Sequence, residues 1–292
     1  MSDLLIFGFG YSGTAVARAA REAGFAVTVT SRDPATKMPV QDIQLIPFEG
    51  AEAAIAKATH LLVTAAPGEA GDPVLGRHAD SIRAAKNLRW IGYFSTTGIY
   101  GDQNGGWVDE DTLPAPGSER TQRRVQAEEA WRIFPVAVDI FRLGGIYGPG
   151  RSMFDDLRAG TARRVVKPDH LFGRIHRDDI AYGVLVAMRR NAPPGVQIFN
   201  FCDDEPASSA DVVVEAARLL GVAPPDPVPY VEAVAKMSPL ARSFWSENRK
   251  VASAKTKARL GLTWRYPTYR EGLRAIKEEE GGVVADNAPD PA

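Results

Sequence analysis

Six residues near the start of the chain restrict its fold more than any others. Gly8-Phe9-Gly10-Tyr11-Ser12-Gly13 is a G-x-G-x-x-G. It ends a short apolar run, Asp3–Gly8 (DLLIFG), of the kind that forms a buried strand. It opens an Ala-rich helical stretch, Thr14 to Ala23, closed by Gly24, and Phe25–Thr30 (FAVTVT) reads as a second strand. Strand, glycine turn, helix and strand within about thirty residues is the setting in which this motif cradles a dinucleotide. Gly8 permits the tight turn, Gly10 lets the backbone approach a pyrophosphate, and Gly13 lets helix and strand pack closely. The helix amino terminus adds free N–H groups and the positive end of its dipole. Gly8, Gly10, Tyr11, Ser12 and Gly13 are therefore candidate cofactor-binding residues.

The end of the second strand bears on which dinucleotide binds. An NAD site usually carries Asp or Glu there, to hold the ribose 2′-OH. This chain has Thr30-Ser31-Arg32, with no acid before Asp33. Ser31 and Arg32 donate to a 2′-phosphate, which a carboxylate would repel. NADP(H) is expected in preference to NAD(H); the alternative is that Arg32 is a solvated loop residue.

The alternation continues downstream. Ile43–Pro47, His60–Ala66, Trp90–Ser95 and Val136–Leu143 read as further strands. Ala51–Ala58, Pro73–Asn87 and Ser118–Phe134 read as the helices between them. Such alternation predicts an α/β fold with a parallel sheet covered on both faces. Ligands of such sheets lie beyond the carboxyl ends of the strands, so the small residues Thr64, Ala65 and Ala66 are candidate cofactor-wall residues. Farther on, Val196–Phe201 reads as a strand. Asp179–Arg190, Ser208–Leu220, Val231–Ala241, Ser253–Leu260 and Thr268–Glu280 read as helices. Val222–Val228 (VAPPDPV) reads as an extended connector, and residues 281–292 as a disordered tail.

Charge and composition narrow the function classes. A net charge of −1 gives no basic field for nucleic acid. One cysteine, Cys202, rules out an internal disulfide framework and reads as a small packed residue. No basic-then-apolar leader and no apolar run of spanning length is evident, so a cytoplasmic protein without a membrane partner is expected. No metal site is expected.

Several separated segments together resemble one family. Phe94–Gly101 (FSTTGIYG), Phe141–Arg151 (FRLGGIYGPGR) and Ile175–Ile180 (IHRDDI) are similar to segments of the extended short-chain dehydrogenase/reductases, the NAD(P)-dependent epimerase/dehydratase group. Phe199-Asn200, Asp203–Pro206, Asn248–Val251, Leu260-Gly261 and Tyr266–Leu273 extend the resemblance over nearly the whole chain. It implies a Rossmann-type doubly wound sheet with a smaller, mainly C-terminal substrate lobe. The division expected is residues 1–150 with 175–202 for the NADP(H)-binding domain, and 151–174 with 203–280 for the lobe. Leu143, within the motif after the sixth strand, joins the cofactor candidates. A small-molecule substrate is implied, with a nucleotide sugar as the default. A homodimer through the helices Pro73–Asn87 and Ser118–Phe134 is implied as well.

The chain departs from the family at the catalytic position. The family places a Tyr and a Lys, spaced Y-x-x-x-K, on the helix after the fifth strand; the Tyr moves a proton and the Lys lowers its pKa. Here no tyrosine lies between Tyr100 and Tyr147, and no lysine between Lys86 and Lys167. Aligned on Glu128, the two positions hold Arg120 and Arg124. Arginine does not shuttle protons near neutral pH, but two arginines four apart share a helix face and would clamp an anion. The alternative is a solvated face paired with Glu128 and Glu129. Thr96 fills the family's hydroxyl position. Tyr100, Tyr147 and His176 are candidates for a re-sited acid–base group, and Arg151 for a substrate anion. Two alternatives stay open: an atypical NADP-dependent oxidoreductase, epimerase or dehydratase, or a catalytically silent NADP(H)-binding sensor.

Overall fold

The apolar runs do assemble into one sheet. In the computed structural model, which describes residues 2–286, seven strands pair in parallel throughout. They are β1 (Asp3–Phe7), β2 (Ala26–Ser31), β3 (Ile43–Pro47), β4 (His60–Val63), β5 (Trp90–Thr96), β7 (Ala137–Leu143) and β11 (Gly195–Phe201). Three short parallel pairs lie outside the sheet: β6 (Trp107–Val108) with β13 (Lys250–Val251), β8 (Gly145–Tyr147) with β10 (Arg174–His176), and β9 (Arg164–Val166) with β12 (Pro227–Pro229). The order across the large sheet is β11-β7-β5-β4-β1-β2-β3. It reverses between β1 and β4, which sets a crevice at their carboxyl ends. Phe7 of β1 lies opposite Thr30 on one side and Val63 on the other, so Gly8, Ser31 and Thr64 emerge at the same level.

Both faces of the sheet are covered, which is why its strands are almost continuously apolar. On one face Ile6, Leu62 and Phe141 pack against Val16, Ala17 and Ala20 of α1 (Tyr11–Glu22), and against the helix Arg177–Arg189 through Ile180 and Val184. On the other face Leu5, Phe7 and Ile140 pack under α2 (Glu52–Lys57), α3 (Pro73–Ala84) and α4 (Glu119–Trp131), with Trp131 fully buried. A separate cluster, Phe154, Ala207, Val212, Ala216, Tyr269, Leu273 and Ile276, joins α5 (Met153–Arg158) to segments farther along. The helices farther along are α6 (Arg177–Arg189), α7 (Ser209–Leu220), α8 (Tyr230–Ala233), α9 (Pro239–Trp245), α10 (Ala254–Leu260) and α11 (Tyr269–Asp286), of which α7 and α11 contribute to that cluster.

Some boundaries differ from expectation for identifiable reasons. β4 stops at Val63 because Thr64 turns its hydroxyl back onto the carbonyls of Phe7 and Gly8, at 3.1 and 3.3 Å. The helix expected over 231–241 is two helices, because Ser238 caps a new start with Pro239 in its first turn. Part of the Pro-rich connector forms β12; it is half of a two-strand pair, where prolines are tolerated. The last helix passes Glu280 and runs to Asp286, so Gly281–Asp286 is helical rather than tail. The expected tail residues 287–292 lie outside the described residues. No helix among the described residues is long and apolar enough to cross a membrane.

Candidate functional site

The glycine turn is shaped by what each missing Cβ avoids. Gly8 has φ of +112°, and a Cβ there would collide with Thr64 Oγ1; a Cβ on Gly13 would collide with the carbonyl oxygen of Gly8. Gly10, the residue before α1, is different: a Cβ there would meet nothing within 4 Å. Two glycines therefore lock the turn, and the third leaves an open backbone surface at a helix amino terminus. That surface fits a dinucleotide pyrophosphate. Ser12 is buried in the first turn of α1. The Tyr11 hydroxyl donates to the Pro149 carbonyl at 3.0 Å.

The other cofactor candidates divide by environment. Ala65 is half-buried against the sheet core and Ala66 is exposed. The Thr64 hydroxyl is occupied by the glycine turn, so it shapes the cradle. Ser31 Oγ accepts from the Asp33 amide at 3.2 Å. Arg32 is exposed at the end of β2 and makes no ion pair among the described residues. Arg151, expected at a substrate anion, lies over the Tyr11 ring at 5.6 Å, as Arg177 does at 5.1 Å. Its charge thus belongs beside the glycine turn and not in the second cleft described below.

Beneath the carboxyl ends of β5 and β7 runs a buried polar network. Arg142 donates to both carboxylate oxygens of Glu128, at 3.2 and 2.8 Å, with both side chains 1% exposed. Ser95 donates to the same carboxylate at 2.5 Å. Arg142 also donates to the Tyr100 hydroxyl at 2.9 Å, and Tyr100 donates to Asn200 Oδ1 at 2.8 Å. This network corrects two expectations. Tyr100 has no exposed surface and both hydroxyl functions are used, and burial raises its pKa, so it is a structural tyrosine. Glu128 pairs with Arg142 on β7, and Glu129 with Arg132, so neither serves Arg120 or Arg124.

The two α4 arginines part company. Arg124 donates to the Phe94 carbonyl at 2.5 Å and to the Tyr93 hydroxyl at 3.3 Å, pinning α4 to β5. It is not half of a clamp. Arg120, one turn earlier, lines a cleft of about 440 Å³. The sheet side of that cleft is Thr96 at the end of β5 and Leu143 and Gly144 at the end of β7. Phe244, Trp245, Glu247 and Arg249 form another wall, and Tyr147 and Arg174 also face it. Phe244 and Trp245 are thus cleft residues. Arg249 lies in the family-like segment Asn248–Val251, where no local pattern points to a cleft.

Of the acid–base candidates, only Thr96 and Tyr147 reach the cleft. Thr96 Oγ1 accepts from the Gly98 amide at 3.1 Å, which leaves its proton free to be donated. Tyr147 is held strongly un-ionised, chiefly by burial. His176, a further candidate, caps α6: its Nδ1 accepts from the Asp178 amide at 3.2 Å. Its ring is 1% exposed, lies against Tyr147 and Tyr266, and is pushed down to about 4 by burial. It is a capping residue outside the cleft.

A parallel doubly wound sheet with a pyrophosphate cradle defines a NAD(P)-binding Rossmann protein. No protein-family model matches the chain. Protein YeeZ of Escherichia coli K12 is 33% identical over 152 residues, which are 50% of this chain and 51% of that protein. The 3-diazoavenalumate denitrifying reductase of a Streptomyces species is 31% identical over 185 residues, 57% of this chain and 58% of the reductase. The chain thus aligns with only about half the length of these curated relatives. Solved structures match over nearly full length. A conserved protein of unknown function from Silicibacter pomeroyi DSS has a TM-score of 0.88 at 40% identity, over 96% of this chain and 99% of that one. A Methylobacillus flagellatus protein assigned to the NAD-dependent epimerase/dehydratases has a TM-score of 0.76 at 25% identity, over 96% and 99%. The human epimerase family protein SDR39U1, solved with NADPH, shares the fold with a TM-score of 0.75 at 21% identity, over 94% and 99%. The chain is thus similar to the NAD-dependent epimerase/dehydratases in fold and resembles an atypical short-chain dehydrogenase/reductase, one without the Tyr-x-x-x-Lys pair.

Proposed function

We propose that the protein is an NADP(H)-dependent oxidoreductase, of reductase or epimerase/dehydratase type, acting on a small molecule in the Thr96–Arg120 cleft. One observation carries this reading: the cleft is built on the carboxyl ends of β5 and β7, the same sheet edge on which the glycine turn opens. A silent cofactor binder has no use for a second pocket there. The NADPH solved with SDR39U1 and the reductase activity named for the Streptomyces relative accord with it.

When bound, the nicotinamide supplies or accepts hydride. The chain's own residues do the rest. Gly8, Gly10 and Gly13 seat the pyrophosphate at the start of α1, and Ser31 and Arg32 hold the 2′-phosphate. Thr96 donates a hydrogen bond to the substrate oxygen. Arg120, at the position where the family carries tyrosine, remains cationic and stabilises negative charge that develops beside it. Arg120 stays cationic and burial holds Tyr147 strongly un-ionised, so neither takes over the tyrosine's proton transfer, and water supplies the proton that completes a reduction.

Fluorescence titration with NADPH and NADH tests the cofactor half. Tight NADPH binding with weak NADH binding is expected. Arg32→Asp should weaken NADPH by about ten- to a hundredfold while sparing NADH, the size of a lost charge-assisted hydrogen bond. Equal binding of both cofactors by the parent protein would make Arg32 a bystander. Stereospecific deuteride transfer from labelled NADPH to a carbonyl compound tests the catalytic half. Tight NADPH binding with no transfer over a broad aldehyde, keto-acid and sugar-nucleotide panel would favour the silent sensor, the reading that the missing Tyr and Lys support.

A further inference from the structure

We propose that Arg120 and Arg249, together with Arg174, form a carboxylate-binding subsite, so that the molecule taken into the cleft is a compact organic acid rather than a nucleotide sugar. This rests on the reading of the cleft as the substrate site. The three guanidiniums come from three separate segments, the first turn of α4, the start of β10 and the residue before β13, yet they line one cavity.

Their charge is poorly compensated. Among the described residues Arg120 makes no ion pair, and its guanidinium sits over the Phe244 ring at 5.2 Å. Partial desolvation at the cleft rim and the charge of Arg124 disfavour its cationic form; Glu247 acts the other way, and Arg249 adds a smaller opposing charge. Glu247 is itself engaged by Arg249 at 2.7 Å, and Arg249 also donates to the Gly101 carbonyl at 2.8 Å. Arg174 is fixed by donation to the carbonyls of Phe172 and Ala207, at 3.0 and 2.9 Å, neither of which neutralises it. The acid next to it is Asp203, 2% exposed, and neither of its carboxylate oxygens has a hydrogen-bond partner among the described residues. Burial drives that carboxyl strongly toward its neutral form. Three guanidiniums therefore share one carboxylate, that of Glu247, in the cleft lining. An arginine stays charged under these conditions, so an anionic ligand relieves the imbalance.

Shape selects among anions. About 440 Å³ is at the small end of the usual range for ligand pockets, roughly 300–1,000 Å³. The walls around the guanidiniums are Leu143, Phe244 and Trp245, which suit an aromatic or aliphatic body. A planar carboxylate fits the guanidinium fork bidentately.

Isothermal titration calorimetry with phenylpyruvate, its methyl ester, phenyl phosphate and UDP-glucose tests the proposal. Each is titrated into cofactor-free protein and into protein saturated with NADPH, so that failure of the cofactor reading appears separately as absent NADPH binding. The acid is expected to bind in at least one state, with the ester at least about tenfold weaker, as loss of a charge-assisted contact requires. Arg120→Met should bring the acid down to the affinity of the ester and leave the ester unchanged. Arg249→Lys keeps the charge, removes the fork, and should lower the acid's affinity by a smaller factor. The proposal is overturned if acid and ester bind within twofold, if the acid binds in neither state, or if Arg120→Met weakens both alike. It is equally overturned if UDP-glucose or phenyl phosphate binds more tightly than the carboxylate.

Discussion

Gly8–Gly13 and Arg120–Arg124 are stretches of similar length, each at the start of a helix, and they obey different rules. In the first, every constraint is local to the backbone or its nearest strand: Gly13 clears Gly8, and Gly8 clears Thr64 on the neighbouring β4. In the second, two identical side chains on one helix face have opposite fates. Arg124 is captured by a carbonyl thirty residues earlier in the chain, while Arg120 meets Phe244 and the field of Arg249 from the far end of it. A backbone motif carries its own geometry. A side-chain pair acquires its role from whatever packs against it.

The largest effect should come from the network that separates those roles. Arg142→Met leaves Glu128 buried without its partner, and should cost about 3–5 kcal/mol, read as a lower urea midpoint at pH 7. An unchanged midpoint would mean that the Glu128–Arg142 pair does not fix α4 on the sheet. Next comes the backbone motif. Gly13→Ala pushes a methyl into the Gly8 carbonyl and should cost roughly 1–3 kcal/mol of strain, seen as a ten- to hundredfold loss of NADPH affinity. Full affinity in that variant would show that the turn has slack the structure does not display.

The two arginines give a sharper contrast at smaller scale. Arg124→Gln should destabilise the fold by about 1–3 kcal/mol, because the Phe94 carbonyl loses its charged donor. Arg120→Gln, exposed at the cleft rim, should stay within about 0.5 kcal/mol of the parent. Equal losses would dissolve the distinction between them.

The smallest effect concerns pH. His170 is 1% exposed, neither ring nitrogen has a well-formed hydrogen bond among the described residues, and burial, with Lys167 adding to it, lowers its pKa to about 4. The unfolded chain binds the proton near 6.5. The native state therefore holds fewer protons between these values, and stability falls as pH drops from about 6.5 toward 4. His176 acts in the same sense, while Asp179, raised to about 6 by burial, opposes both over part of the window. His170→Phe should preserve the stacking on Trp245 and flatten the acid limb of the stability curve. An unaltered slope between pH 7 and 4.5 would assign that limb to other groups.

Much of the fold was legible because strand and helix periodicity is written in consecutive residues. Ile43–Pro47 forms a strand as its apolar pattern predicts, and Ser208 caps α7. Legibility failed where partners lie far away. Pro227–Pro229 became a strand only because Arg164–Val166 runs beside it, and Tyr100 was sealed by Arg142 and Asn200.

The amino-acid sequence by itself determined the βαβ cradle, because a missing Cβ and an apolar run act over a few residues and need no distant partner. It also determined that the tyrosine and lysine are gone. Only the tertiary structure decided which arginine faces the cleft, which acid is neutralised in the core, and that Phe244, Trp245 and Arg249 stand opposite Thr96. Those outcomes depend on desolvation and on hydrogen bonds between segments remote in the chain, and both are set by packing, not by spacing.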